Sequence, residues 1–210
     1  MNKRSNGKMK YRMLSILGLV IFFGVWEAAV RLGWVSHRSL NAPSEVVETF
    51  IYKLTNANPD GSTLPQHFFQ SLKLALTSFI IATIIGVPLG WIMGYYKVAD
   101  FLLNPLFEII RPIPPIAWIP IVILTMGIGM SAKVFIIFVA AFVPNVINSY
   151  LGIRLTDATL INVAKTFGAS DWKIFTTVCI PSSMNMVFTG IRLSLNASWT
   201  TLVAAEMLAS

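Results

Sequence analysis

The 210 residues carry 55% hydrophobic and only 12% charged side chains, with a mean hydropathy of +0.70 and a net charge of +7. Soluble domains hold about 25% charged residues, so this chain lacks the polar surface that a water-facing globule needs. The positive charge does not mark a nucleic-acid arm, because five of the sixteen Lys/Arg (Lys3, Arg4, Lys8, Lys10, Arg12) directly precede an apolar run, the flank that the positive-inside rule holds in the cytoplasm.

The first apolar run, about Met13 to Val30, is long and ends without a cleavage site. It reads as an uncleaved span with the amino terminus inside and Glu27 at the outer interface. Residues 33–67 are mixed and polar, with a turn cluster at Asn56–Gly61. Within them Pro43 opens a short amphipathic helix on the outer membrane face. Ser44 is its expected cap, Glu45 and Glu48 lie in its first turn, and Val46, Val47, Phe50 and Ile51 form its apolar stripe. A second span covers about Leu72 to Gly94. Gly86, Gly90 and Gly94 recur every fourth residue there, a bare face suited to close helix packing in lipid. Tyr95, Tyr96 and Lys97 mark the inner interface.

The third apolar region, about Phe101 to Met126, is interrupted. Asn104, Glu108 and Arg111 make one polar stripe, and Arg111-Pro112-Ile113-Pro114-Pro115 follows. Three prolines in four residues remove backbone donors, which membrane depth tolerates only against protein or a water-filled cavity. This segment is therefore expected away from lipid. A short outer loop at 127–131 leads to a fourth span, about Val134 to Leu151, carrying Pro144, Asn145 and Asn148. A long cytoplasmic stretch, Arg154 to about Pro181, precedes a fifth span, about Met184 to Ala205.

The expected fold is thus an all-α integral membrane bundle of about five spans, with residues 1–68 as tail, first span and outer loop, and 69–210 as the core. The inside then carries nine Lys/Arg and the outside five, with Arg111 and Arg192 at membrane depth. The single cysteine, Cys179, excludes an intrachain disulfide and a cysteine metal cluster, and reads as a small packing residue. His37 and His67 share one loop without a carboxylate at ligand spacing, and read as surface residues.

Two constellations carry function. In the cytoplasmic stretch, Leu160 to Phe167 reads as a helix stopped by Gly168, and Ser170 caps a second helix from Asp171. That helix is expected to expose Trp172 and Phe175 beside Asp171 and Lys173, a protein-docking feature. The rival reading is an interfacial helix lying on lipid. In the fifth span Asn185, Thr189, Arg192, Asn196 and Thr200 recur every three or four residues along one face. A charge at membrane depth is costly unless paired or hydrated. The stripe reads as a wall of a translocation path between two chains, with Arg111, Asn145 and Asn148 as further candidates. The rival is a structural Arg192 that pairs with Glu108 or with carbonyls freed by the prolines.

Asn162-Val163-Ala164-Lys165-Thr166-Phe167-Gly168, nine residues, then Val178-Cys179-Ile180-Pro181 resembles the EAA loop of binding-protein-dependent ABC importer permeases. Ala164, Gly168 and Pro181 match in identity and spacing, Val178 and Ile180 are conservative replacements, and Asn162 and Val163 depart from the family's Glu and Ala. The likeness narrows to the nitrate/sulfonate/taurine-type permeases. It does so through Trp26-Glu27, Pro43-Ser44-Glu45-Val46, Gly86-Val87-Pro88-Leu89-Gly90, Arg111-Pro112-Ile113-Pro114-Pro115 with Trp118-Ile119-Pro120, Phe167-Gly168-Ala169-Ser170, Thr189-Gly190-Ile191-Arg192-Leu193 and Ala205-Glu206-Met207-Leu208.

The resemblance implies a type I importer fold in the inner membrane. A pair of such chains, expected to be a homodimer, would sit on two ATPase chains and be fed by an extracytoplasmic solute-binding protein. It implies that the loop at 156–182 couples to the ATPase through Ala164, Gly168, Ala169, Ser170, Asp171, Trp172, Phe175 and Pro181. No phosphate loop occurs, so ATP with Mg is expected on the partner, with no cofactor, metal or catalytic residue on this chain. The solute is expected to be a small anion such as a sulfonate, taurine or nitrate. The alternatives are a vitamin precursor carried by the same family, or a secondary carrier, for which neither an internal repeat nor a midplane acid is present. An intramembrane hydrolase would need its nucleophile and base within the spans. A structural anchor would not need polar stripes. The family pattern continues with another span beyond Leu208, so its last helix is expected to be missing here.

Overall fold

The computed structural model describes residues 3–36, 40–59 and 61–208, and every regular element among them is helical. His37 lies outside the described residues. Two compact units divide at residues 69 and 70.

The first unit holds α1 (Lys3–Arg31) and α2 (Pro43–Thr55). Its apolar part, Lys10–Arg31, is long enough to span a bilayer and is almost wholly uncovered. At the end of α1, Glu27 accepts hydrogen bonds from the Ser44 hydroxyl at 2.7 Å, the Ser44 backbone N–H at 3.1 Å and Arg31 Nε at 2.6 Å. This corrects the expected cap. Ser44 lies one residue inside α2, Pro43 occupies the first position, and Glu45 reaches back to the Ala42 N–H at 3.1 Å. The free N-terminal donors of α2 thus find carboxylates on two sides. His67 is half-buried rather than a surface residue.

Helix α3 (Leu64–Tyr95) begins eight residues before the expected span, at Leu64 rather than Leu72. Its start is fixed by Pro65 in the first turn and by Gln66, whose side chain accepts the Thr63 N–H at 2.8 Å. In the second unit α4 (Lys97–Ile110) is followed by a tight turn at Pro115–Trp118 and α5 (Ile119–Met126). The two halves of this broken span meet at 89°. The prolines account for the bend, since each lacks an N–H and biases its predecessor away from helix. Helix α6 (Met130–Arg154) starts after Gly127 and Gly129, and α9 (Ile180–Leu208) ends the described chain.

Small residues knit α3, α6 and α9 together. A methyl group at Gly90 would lie 2.4 Å from the Val146 carbonyl oxygen, and one at Gly94 2.8 Å from the Tyr150 carbonyl. Gly86 faces Asn145 in the same way at 3.0 Å, so the glycine face of α3 lies directly on α6. Gly152 and Gly190 place α6 and α9 equally close, against Ser183 and Asn148. Backbones approach this closely only where side chains are absent, and in lipid van der Waals contact is the main source of association. At the other end Asp100 of α4 pairs with Arg154 of α6, whose guanidinium also lies 5.4 Å from the centre of the Tyr150 ring.

Candidate functional site

Between α6 and α9 the chain turns back through α7 (Ala158–Thr166) and α8 (Asp171–Ile174). Asp157 starts α7 by accepting the Thr159 N–H at 2.8 Å, and this bond with that from the Thr159 side chain holds its carboxyl below the ordinary Asp range. The end of α7 is a Schellman turn. Gly168 sits at φ +74°, its N–H bonds the Lys165 carbonyl at 2.9 Å, and the Ala169 N–H reaches the Ala164 carbonyl at 3.1 Å. Ser170 then accepts the Lys173 N–H at 3.4 Å and starts α8. A wider turn at Phe175–Cys179, with the Ile180 N–H bonding the Phe175 carbonyl, joins α8 to α9 just before Pro181. Pro181 has no N–H to give, and a turn of greater girth accommodates that loss.

The aromatic pair of α8 is divided, which corrects one expectation. Trp172 is 65% exposed, but Phe175 is 4% exposed, packed with Ile153, Ile174 and Cys179. The Phe175 ring lies 4.9 Å from that of Tyr95 and 5.7 Å from that of Tyr96, and the Tyr95 hydroxyl donates to the Asp171 carbonyl at 3.0 Å. Residues 172 and 175 share one helical face, yet the tyrosine shelf at the end of α3 takes the inner ring and leaves the outer one free. Phe167, which pattern reasoning read only as the last residue of α7, is 86% exposed. The outward aromatic pair is therefore Phe167 with Trp172. The signal for Tyr95 lay in the Tyr95-Tyr96 pair, which sequence reasoning assigned to the membrane interface.

Polar residues at membrane depth fall into two sets. One is buried. Asn145 has no exposed surface and its amide donates to Thr83 of α3 at 3.1 Å and to Ser194 of α9 at 2.9 Å. Ser78, Ser149, Ser183 and Ser198 are buried with it. Asn145 thus stands apart from the other path candidates, and Asn148 is half-buried, donating to the Pro144 carbonyl at 2.8 Å against Gly190. The other set is exposed: Asn185, Thr189, Arg192, Asn196 and Thr200 all lie on the uncovered face of α9. The hydroxyls of Thr189 and Thr200 return to carbonyls of their own helix, and Arg192 makes no hydrogen bond or ion pair among the described residues. Glu108 does not serve as its partner, being 3.8 Å from Arg111 instead.

Residues 111–114 are exposed as well. Among the described residues of the second unit nothing covers 111–114, and carbonyls at membrane depth need water or a further protein surface.

The sequence profile of the inner membrane component of binding-protein-dependent transport systems matches residues 86–210. A probable ABC transporter permease protein of Brucella melitensis is 35% identical over 205 residues, 98% of this chain and 80% of its own. The taurine transport system permease protein of Escherichia coli is 33% identical, over 94% of this chain and 72% of its own. The bicarbonate transport system permease protein of Synechococcus elongatus is 29% identical, over 99% and 78%.

Proposed function

The chain belongs to the family of inner membrane components of binding-protein-dependent transport systems, and from that membership we propose that it lines the solute path of an ATP-driven importer and is driven through the Trp172 turn. It is a transport component and not an enzyme; ATP is hydrolysed on a separate subunit, and a solute-binding protein delivers the cargo. In this reading the amino terminus and the 155–181 connection face the cytoplasm.

The observation that carries the proposal is the contrast within one turn. Phe167 and Trp172 stand free while Ile174, Phe175 and Cys179 beneath them are buried. Exposed aromatics on a rigid base suit a pocket in a partner, since such side chains bind without losing much conformational freedom. A shift of the partner would move the base as a unit.

Two copies would complete the path. The uncovered α9 stripe and the uncovered proline break both need a second surface or water, and a second copy of the chain supplies the first and encloses the second. Arg192, unpaired, favours a solute with an oxyanion, in keeping with relatives named for taurine and bicarbonate. The test is a cysteine at Trp172, crosslinked in membranes containing the ATPase. A crosslink to the ATPase chain supports the reading, and capture of lipid alone overturns it.

A further inference from the structure

Helices α3 and α4 are joined by the single residue Tyr96, and the corner so formed holds both ends of the α7–α8 connection. On the exit side the Tyr95 hydroxyl donates to the Asp171 carbonyl at 3.0 Å, and the rings of Tyr95 and Tyr96 lie against Phe175. On the entry side Asp100, in the first turn of α4, pairs with Arg154, the last residue of α6. Tyr150 braces that pair: its hydroxyl accepts from Arg154 Nε at 3.3 Å and donates to Asp100 Oδ2 at 3.4 Å. The Asp100 side chain is only 17% exposed, and its Oδ1 is buried without a hydrogen-bond partner among the described residues. Drawing Arg154 away would leave a largely buried carboxylate uncompensated, so the pair resists slipping. The Glu108–Arg111 pair further along α4, more than half exposed on both sides, has no such hold.

From Asp100, α4 runs about 15 Å to the proline break, with Phe107 buried against Met93 and Val146 on the way. The break is exposed and bends the span by 89°, so no continuous helix locks α4 to α5. We infer that the α3–α4 corner is a second point of mechanical transmission. Asp100 and Tyr95 are its positioning residues, and they carry movement of the α7–α8 connection into the broken span. The inference rests on the permease reading and adds a route to it. Helix α9 follows α8 directly along the chain, whereas α4 meets the connection through partners 54 and 76 residues away in sequence.

The test uses the full chain with its ATPase in vesicles. Thiol labelling by a water-soluble maleimide is compared between the nucleotide-free state and the state trapped with ATP and vanadate. The reporters, one at a time, are Ile113→Cys in the break and Thr200→Cys on α9. The single native cysteine, Cys179, is buried, so the background is silent. In the parent chain both labelling rates change on trapping. Asp100→Asn reduces the change at Ile113→Cys about tenfold, the worth of one charge-assisted contact, and leaves that at Thr200→Cys as it was. Asp100→Glu keeps part of the response. A change at Ile113→Cys that is absent in the parent, that survives Asp100→Asn, or that is lost together with the change at Thr200→Cys overturns the inference. Labelling of Cys179 reports unfolding, in which case Tyr95→Phe, which removes only the hydroxyl that holds Asp171, takes the place of Asp100→Asn under the same criteria. The Trp172 crosslink, run beside it, separates the outcomes. If it persists while these criteria fail, only the corner fails; if it too is missing in the parent chain, the permease reading fails.

Discussion

The two faces of α9 have similar chemistry and opposite fates. Inward, Ser183, Ser194 and Ser198 are buried and hydrogen-bonded, two of them to their own helix and Ser194 to Asn145 of α6. Outward, Asn185, Arg192 and Asn196 are exposed, and Arg192 has no partner among the described residues. A polar residue in a membrane helix is therefore no pointer to a path by itself. A short hydroxyl can satisfy itself on the preceding turn and lets backbones approach; a guanidinium can do neither and must be met from outside.

The contrast can be broken most severely from the inward side. Gly90→Ala places a methyl 2.4 Å from a backbone carbonyl and 2.7 Å from Ser149 Cβ, so α3 and α6 must separate. We expect a loss of about 1–3 kcal/mol, seen as a lower thermal midpoint and poor recovery in mild detergent. An unchanged midpoint would mean that α3 and α6 lie further apart than this contact requires.

A pair of variants sharpens it. Asn145→Leu removes the donor to Ser194 and to Thr83, whose hydroxyl keeps its bond to the Phe79 carbonyl at 2.8 Å, and is expected to cost about 0.6–2 kcal/mol, while uptake per folded molecule stays near the parent level. Arg192→Gln is expected to leave the thermal midpoint unchanged and to lower uptake about tenfold, as loss of one charged contact does. Equal effects on stability from both would erase the distinction between the faces.

The smallest effect concerns the α7 cap. Asp157 has a carboxyl held below the ordinary Asp value in the folded chain, so its contribution is complete above that value and is lost as pH falls through the lowered one. Hydrogen exchange across α7 should quicken only in that acid range, and Asp157→Asn, which still caps, should flatten the response.

Much of this was legible in the sequence because it is local. The α7–Gly168–Ser170–α8 pattern needs a left-handed glycine and a side-chain acceptor, and both are written in consecutive residues. The glycine face of α3 is periodic, and so is the stripe on α9. What escaped was set by distant partners. Phe175 is drawn inward by Tyr95, some 80 residues away in the chain. Asn145 looked like a path residue because nothing near it in sequence discloses Thr83 or Ser194. Ser44 resembled a cap, but Glu27 took its hydroxyl. Gln66 set the start of α3 ahead of the hydropathic run, since a helix begins where its donors are met and not where lipid does.

Asp171 to Met207 form one helical body of 37 residues, about 55 Å long at 1.5 Å per residue. Trp172 stands at its root and Arg192 some 30 Å along its shaft. If the Trp172 turn is driven as proposed, a push at the root reaches Arg192 as the swing of a lever. The widened turn at Phe175–Cys179 lies between root and shaft, so in that reading stroke and twist would be set at the same place.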